Sequence, residues 1–344
     1  MMLQTSRIAL RVAQAKAGTS ATMSRSASRA FSTSLVQNKD VQNITVFGAG
    51  LMGAGIAQVL AHKGKFNVTL SDVTDKALAN GQNIISKSLG RIAKKVMAEA
   101  SAEEQAQFVK GIVDSIKVTT DPEAAVKDTD LVIEAIIENV GIKKDLFGFL
   151  DGKAPKDALF ASNTSSLSIT DVADAVSAQR QELFGGFHAF NPVPQMKLVE
   201  VIRTTKTSND TFDSLTEVAK RMGKAPVSCI DSPGFIVNRL LVPYMLEAIR
   251  LVERGEATAK DVDTAMKLGA GYPMGPFELA DLVGLDTLSH IAKGWRETRV
   301  KTGEISAEAV QESKLLEKLV KQGKLGKKSG EKGGFYEYPA PAKK

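Results

Sequence analysis

Two ionisable residues stand where the sequence otherwise reads as protein interior. His188 lies in "GGFHAFNP", and twelve residues later Glu200 interrupts the apolar run "KLVEVI". Imidazole titrates near neutral pH, so it can take a proton from a hydroxyl group and return it. A carboxylate on the other ring nitrogen would fix the tautomer and stabilise the imidazolium. Burying Glu200 is costly unless something pairs with it, and His188 is the nearby candidate. The competing reading is a core histidine bonded only to backbone. The other two histidines carry less: His62 reads as solvated surface at a helix end, and His290 as ordinary packing.

A redox partner for such a base is written earlier in the chain. Gly48, Gly50 and Gly53 follow the β-branched run "ITVF" in G-x-G-x-x-G spacing, with Ala49, Leu51 and Met52 between them. A helical pattern then runs to Gly64, and a second strand, "FNVTLSD", closes on Asp72. The glycines permit a tight turn, close approach of backbone to a pyrophosphate, and helix–strand packing. The helix N-terminus offers free N–H groups to phosphates. Asp72 stands where an acid bonds a ribose 2′-hydroxyl and repels a 2′-phosphate, which favours NAD over NADP. Strand, glycine turn, helix and acid together are the context this motif requires.

The elements that must position these groups alternate. "SIKVTTD", "LVIEAIIEN" ending at Glu138, "ALFASNTSSLS" and "ELFGGFHAFNP" read as strands between helices, which predicts a parallel, doubly wound sheet. Ligands bind beyond the C-terminal ends of such strands. Glu138, the "SNTSS" loop and His188 all fall there. "APVSCID" reads as a short buried strand whose Cys229 packs in the core. From Asn80 to about Lys110 the pattern is helical and basic, with Ile85, Leu89, Ile92 and Val96 at helical spacing. Spacing alone favours a solvated charged face there over a phosphate-rich ligand. After Pro233 and Gly234 the chain turns mainly helical. Its first helix, "FIVNRLLVPYMLEAIRLVERG", is apolar on most faces and must bury itself against a neighbour, such as another subunit. The expected fold is therefore an N-terminal Rossmann-type α/β sheet over residues 40–230, with a basic helical insertion near 80–110, and a mainly α-helical domain over residues 231–344.

Residues 1–39 hold no Asp or Glu, are crowded with Ser, Thr and Ala, and carry six cations, among them Arg25, Arg29 and Lys39. This pattern resembles a mitochondrial transit peptide, with the mature start expected near Lys39. Those six cations account for the whole excess of 45 basic over 39 acidic residues. The net charge is then no argument for nucleic acid. No run reaches the length of a membrane span, one cysteine excludes an internal disulfide, and no metal site is expected.

"GAGLMGAGIAQV", "SNTSSL", "HAFNPVPQMKLVEVI", "DSPGFIVNRLLVPYMLEAIRLVERG" and "MKLGAGYPMGPFELADLVGLDT" closely resemble the mitochondrial short-chain L-3-hydroxyacyl-CoA dehydrogenases, from about Asn43 to Tyr338. The loop between Ser165 and His188 is slightly longer than that family's, and "GEKGGFY" replaces a shorter turn near Lys328. The resemblance implies NAD-dependent oxidation of (S)-3-hydroxyacyl-CoA to 3-oxoacyl-CoA in fatty-acid β-oxidation, in the mitochondrial matrix, by a homodimer paired through its helical domains. It implies that His188 is the general acid/base, that Glu200 orients it, and that Ser165, Asn191 and Asn238 surround substrate and nicotinamide. It further implies that Glu138, Lys143 and Lys328 touch the cofactor, and that Ser88 and Lys95 touch coenzyme A, which reverses the solvated-face reading of the basic helix. The other readings are an NAD-dependent dehydrogenase of another small hydroxy acid, with lysine as base, and a non-enzymatic NAD-binding protein.

Overall fold

A computed structural model describes residues 39–339; the expected leader lies outside the described residues except for Lys39, whose Nζ donates to the carbonyl and carboxylate of Asp157. The first half of the chain runs β1 (Asn43–Phe47), α1 (Leu51–Val59), β2 (Asn67–Ser71), α2 (Asp75–Val96), α3 (Ala102–Ser115), β3 (Ile116–Thr119), α4 (Pro122–Val126), β4 (Leu131–Glu134), α5 (Val140–Asp151) and β5 (Leu159–Ser162). It continues through α6 (Ile169–Ala173), α7 (Ala178–Glu182), β6 (Phe184–Ala189), β7 (Leu198–Arg203), α8 (Asn209–Arg221) and β8 (Ala225–Ile230). The helical half follows: α9 (Val237–Glu253), α10 (Ala259–Gly269), α11 (Pro276–Val283), α12 (Leu285–Thr298) and α13 (Lys314–Lys321).

The strands form one sheet in the order β3-β2-β1-β4-β5-β6-β7-β8. The first six are parallel in the doubly wound order that makes a crevice between β1 and β4. The last two depart from the all-parallel expectation: β7 runs antiparallel to β6, and β8 is parallel to β7. That reversal sets His188 directly opposite Glu200, on one face of the sheet, where cross-strand side chains meet.

Apolar side chains cover both faces. Ile44, Val46 and Leu70 pack with Ile56, Leu60, Ile85 and Leu89 of the first helices. On the other face Phe147, Phe160 and Phe184 interlock, with centroids 4.7–6.3 Å apart. A separate cluster from Val242 to Leu316, centred on Leu246, Phe277, Leu288 and Trp295, holds the helical half.

Local readings need five corrections. The basic helical stretch is two helices, broken between Val96 and Ala102; Ser101 caps the second through a reciprocal bond with Glu104, while Val96 is exposed. Strand β4 stops at Glu134, four residues before Glu138. Strand β8 is an edge strand buried only at Cys229, which accommodates Pro226. His62 is half-buried edge-on against Phe108, and burial, then Lys63 and Lys65, hold its pKa below the usual imidazole value. His290 is exposed rather than packed.

Candidate active site

The dinucleotide crevice is built from backbone demands. Gly48 has φ +98°, and a Cβ there would meet the carbonyl of Ala135 at 2.5 Å; one at Gly53 would lie 1.7 Å from the carbonyl of Gly48. Only glycine lets β1, β4 and α1 converge so closely. At Gly50 no atom stands within 4 Å of where a Cβ would be, so the loop leaves open space at the start of α1. That helix has no side-chain cap and no acid in its first turn, which leaves its N–H groups and dipole for an anion. Asp72 is fixed beside it, with its two oxygens accepting from Ala49 N at 2.7 Å and Val73 N at 2.7 Å. Cradle, free amides and oriented acid fit NAD.

Beyond the ends of β4 and β5 lies a charged cluster. Lys143, 1% exposed, reaches from α5 to Glu134 at 2.5 Å and Glu138 at 3.3 Å. Glu134 also accepts from Ile136 N at 2.7 Å and Ser162 Oγ at 2.6 Å. One Glu138 oxygen collects the "SNTSS" loop, accepting from Thr164 Oγ1, Ser165 N, Ser166 N and Ser166 Oγ at 2.5–3.2 Å. Partial burial pushes the Glu138 carboxyl up, but Lys143 and these hydrogen bonds outweigh it and hold the group below the usual carboxylate range.

The proton-handling pair sits on β6 and β7. His188 is 3% exposed and Glu200 is fully buried. Nδ1 lies 2.7 Å from Glu200 Oε2, and Nε2 lies 3.0 Å from Ser165 Oγ. Phe190 and Phe235 pack against the ring at centroid distances of 4.5 and 5.5 Å. The other oxygen of Glu200 accepts from Ile236 N at 3.1 Å and Val237 N at 2.9 Å, at the start of α9. Asn238, one residue on, donates its side-chain amide to the Ser165 carbonyl at 3.4 Å. Such a chain can hold one ring nitrogen in a fixed state and turn the other toward a hydroxyl proton.

The structure thus brings His188, Glu200, Ser165 and Asn238 together, joined to Glu138 and Lys143 through the "SNTSS" loop. Asn191 is exposed on the hairpin loop just after β6. Ser88 and Lys95 lie two turns apart on α2, off its buried stripe, and no hydrogen bond or ion pair among the described residues ties them to His188. Lys328 pairs with Asp286 at 2.5 Å and donates to Thr287 at 3.3 Å, both in the helical half; these contacts do not join it to the glycine loop. Sequence reasoning passed over Glu134, whose signal was the same as that of Glu200: an acid inside an apolar strand, "LVIEAII". It also passed over Asp231, which accepts from Ser168, Ile169 and Thr170 at 2.6–3.0 Å and anchors the far end of the "SNTSS" loop. Among the described residues no cluster of three His, Cys, Asp or Glu side chains could hold a metal ion, and no helix is long and apolar enough to cross a membrane.

A sheet wound this way, with its glycine turn opening on a buried imidazole, serves NAD-dependent dehydrogenases as a class. Residues 43–232 match the 3-hydroxyacyl-CoA dehydrogenase NAD-binding domain and residues 234–338 its C-terminal domain. The chain belongs to the 3-hydroxyacyl-CoA dehydrogenase family. It is 54% identical to the human mitochondrial hydroxyacyl-coenzyme A dehydrogenase over 87% of this chain and 91% of that one. It is 41% identical to a Clostridioides difficile 3-hydroxybutyryl-CoA dehydrogenase over 86% and 99%. The crystal structure of a Ralstonia eutropha (S)-3-hydroxybutyryl-CoA dehydrogenase superposes with a TM-score of 0.76 at 37% identity, over 87% of this chain and 99% of that one.

Proposed function

We propose that this NAD-dependent dehydrogenase oxidises the 3-hydroxyl of (S)-3-hydroxyacyl-CoA thioesters, with His188 as the general acid/base. The observation that carries the reading is the hydrogen-bonded line from Glu200 through His188 to Ser165, at 2.7 and 3.0 Å. His188 Nε2 takes the hydroxyl proton in oxidation and returns it in reduction. Glu200 holds Nδ1–H and balances the imidazolium. The Ser165 hydroxyl, with the Asn238 amide beside it, orients the substrate oxygen. When bound, NAD supplies the hydride acceptor. Gly48 to Gly53 would cradle its pyrophosphate, Asp72 would take its ribose hydroxyls, and Glu138, Lys143, Asn191 and Lys328 would contact its remainder.

Ser88 and Lys95 hold the coenzyme A moiety on α2, since their shared face offers a cation and a hydroxyl clear of the apolar stripe. In the test, Lys95→Ala raises the KM for acetoacetyl-CoA several-fold and leaves that for acetoacetyl-pantetheine, which lacks the nucleotide phosphates, unchanged. Equal effects on both substrates return α2 to a solvated face. Turnover of free acetoacetate at the rate of its thioester would instead favour a dehydrogenase of small hydroxy acids.

We infer a division into two domains at residue 231, where strand gives way to helix, and a homodimer formed through the helical one. Leu240, Leu268, Leu282 and Tyr272 stand exposed there, and sedimentation of the purified protein should give twice the chain mass. The acid-free leader supports import into the mitochondrial matrix, which fractionation of a tagged full-length chain would check.

A further inference from the structure

We propose that the first turn of α9 is part of the proton-handling unit: the main-chain N–H groups of Ile236 and Val237 position Glu200, and through it His188. The inference goes beyond the proposed function but rests on its acid/base reading of His188.

A carboxylate on a single-bonded stem can rotate, and an acid that orients a base must not. Glu200 Oε2 faces His188 Nδ1 at 2.7 Å, while Oε1 is gripped by two amides at 3.1 and 2.9 Å. Those donors pin one oxygen and thereby aim the other. They also place the positive end of a 17-residue helix against the charge.

The helix is made for this outside partner. Helices α2, α3, α5 and α8 carry their own N-terminal side-chain caps, from Thr74, Ser101, Asn139 and Ser208. Helix α9 has Ile236 at that place, with no side-chain cap and no acid in its first turn. Its cap comes from Glu200, 36 residues earlier in the chain.

The backbone before it is bent to suit. Phe235 has φ +52°, left-handed for a bulky residue. Its ring is 3% exposed and packs on His188. That bend precedes the two amides that reach Glu200, so one short segment meets ring and carboxylate together.

The test removes one donor to Glu200 and controls for the rest of the change. Replacing Val237 with α-hydroxyisovaleric acid turns its amide into an ester. Val237 N–H has no partner within the helix, as for any first helical residue. The ester also weakens the Ile236 carbonyl, which accepts from Leu240 N at 3.2 Å, and an ester at Ala102 weakens the matching bond from Gln105 N to the Ser101 carbonyl at 3.0 Å. Lactic acid at Ala102, the first residue of α3, is the control for an ester at a helix start. Expected for the Val237 ester are a fall in kcat of about tenfold, an unchanged KM for acetoacetyl-CoA, and an unchanged NADH Kd. The His188 Nδ1–H resonance should move upfield in ¹⁵N-histidine-labelled protein. The corresponding ester at Ile236 should act in the same direction.

Parent-level kcat in both esters overturns the proposal. So does a joint loss of kcat, KM, NADH affinity and thermal stability, which would make the turn merely structural. The acid/base reading fails separately: it falls if His188→Gln retains turnover, whereas an inactive His188→Gln beside fully active esters sinks only this inference.

Discussion

Glu134 and Glu200 are both fully buried acids on apolar strands, the first at the end of β4 and the second within β7, and they are held in opposite ways. Glu134 faces a lysine that it shares with Glu138: Lys143 sits against it, and the Ile136 amide and Ser162 hydroxyl fill the remaining acceptor sites. Glu200 faces a ring that can gain and lose a proton, and its other partners are neutral amides. The first arrangement ties α5 to the ends of β4 and β5. The second changes by one charge whenever the ring titrates, which a general acid/base requires. Burial of an acid is thus common to scaffold and machinery, and the partner's chemistry tells them apart.

The sharpest test removes the titratable partner. His188→Gln keeps size and hydrogen-bonding capacity, so fold and NADH affinity should hold while turnover falls by roughly the 10²–10⁴ of acid–base catalysis. Stopped-flow reduction of acetoacetyl-CoA measures it, and near-normal turnover would remove His188 from the chemistry. Next in size is the scaffold acid. Glu134→Gln leaves Lys143 with only Glu138, at 3.3 Å, as counter-charge, so the loss should approach but stay below the roughly 3–5 kcal/mol of a buried pair broken outright. Urea unfolding should show that loss, with the pH dependence of the remaining activity unchanged. A shifted pH profile at full stability would place Glu134 in the machinery after all.

Glu200→Gln should behave in the reverse sense. Stability changes less, because a glutamine oxygen still accepts from the α9 amides. Turnover falls roughly ten- to a hundredfold, the worth of a hydrogen bond between charged groups. Reduction of the ketone needs the protonated ring, which has lost its counter-charge, so its pH optimum moves lower. An unchanged profile in a folded variant would make Glu200 a second scaffold acid.

How much of this was legible beforehand depends on what fixes each feature. The glycine turn and Asp72 were readable because backbone approach tolerates few residue types there. The pairing of His188 with Glu200 was readable because a buried acid demands a partner. The reversal at β7 was missed by extending the strand–helix alternation one strand too far. The clue lay in segment 190–197, shorter than the dozen or so residues that a parallel crossover needs. Glu134 was missed because its counter-ion lies on a separate helix, nine residues on. The α9 amides that hold Glu200 could not be read at all: every residue has an N–H, and only the fold says where it points.

The smallest effect reads the Glu200 charge directly. Cys229, the chain's one cysteine, sits on β8 beside β7, paired in register with Ile202. Burial first, and then the Glu200 charge, push its thiol up to about 11. Alkylation requires the thiolate, so iodoacetamide should modify the folded protein slowly at pH 8, with a rate climbing toward pH 11. Modification in urea should be fast at pH 8, near the ordinary thiol range. In Glu200→Gln the nearby negative charge is gone, so the thiolate forms more readily and the midpoint of rate against pH moves down. Comparing midpoints rather than rates cancels any difference in access to the buried sulfur. Glu134→Gln, across the sheet on β4, should leave the midpoint where it was. If both variants leave it unmoved, Glu200 carries no charge beside Cys229, and the contrast between a fixed and a switching acid fails at its base.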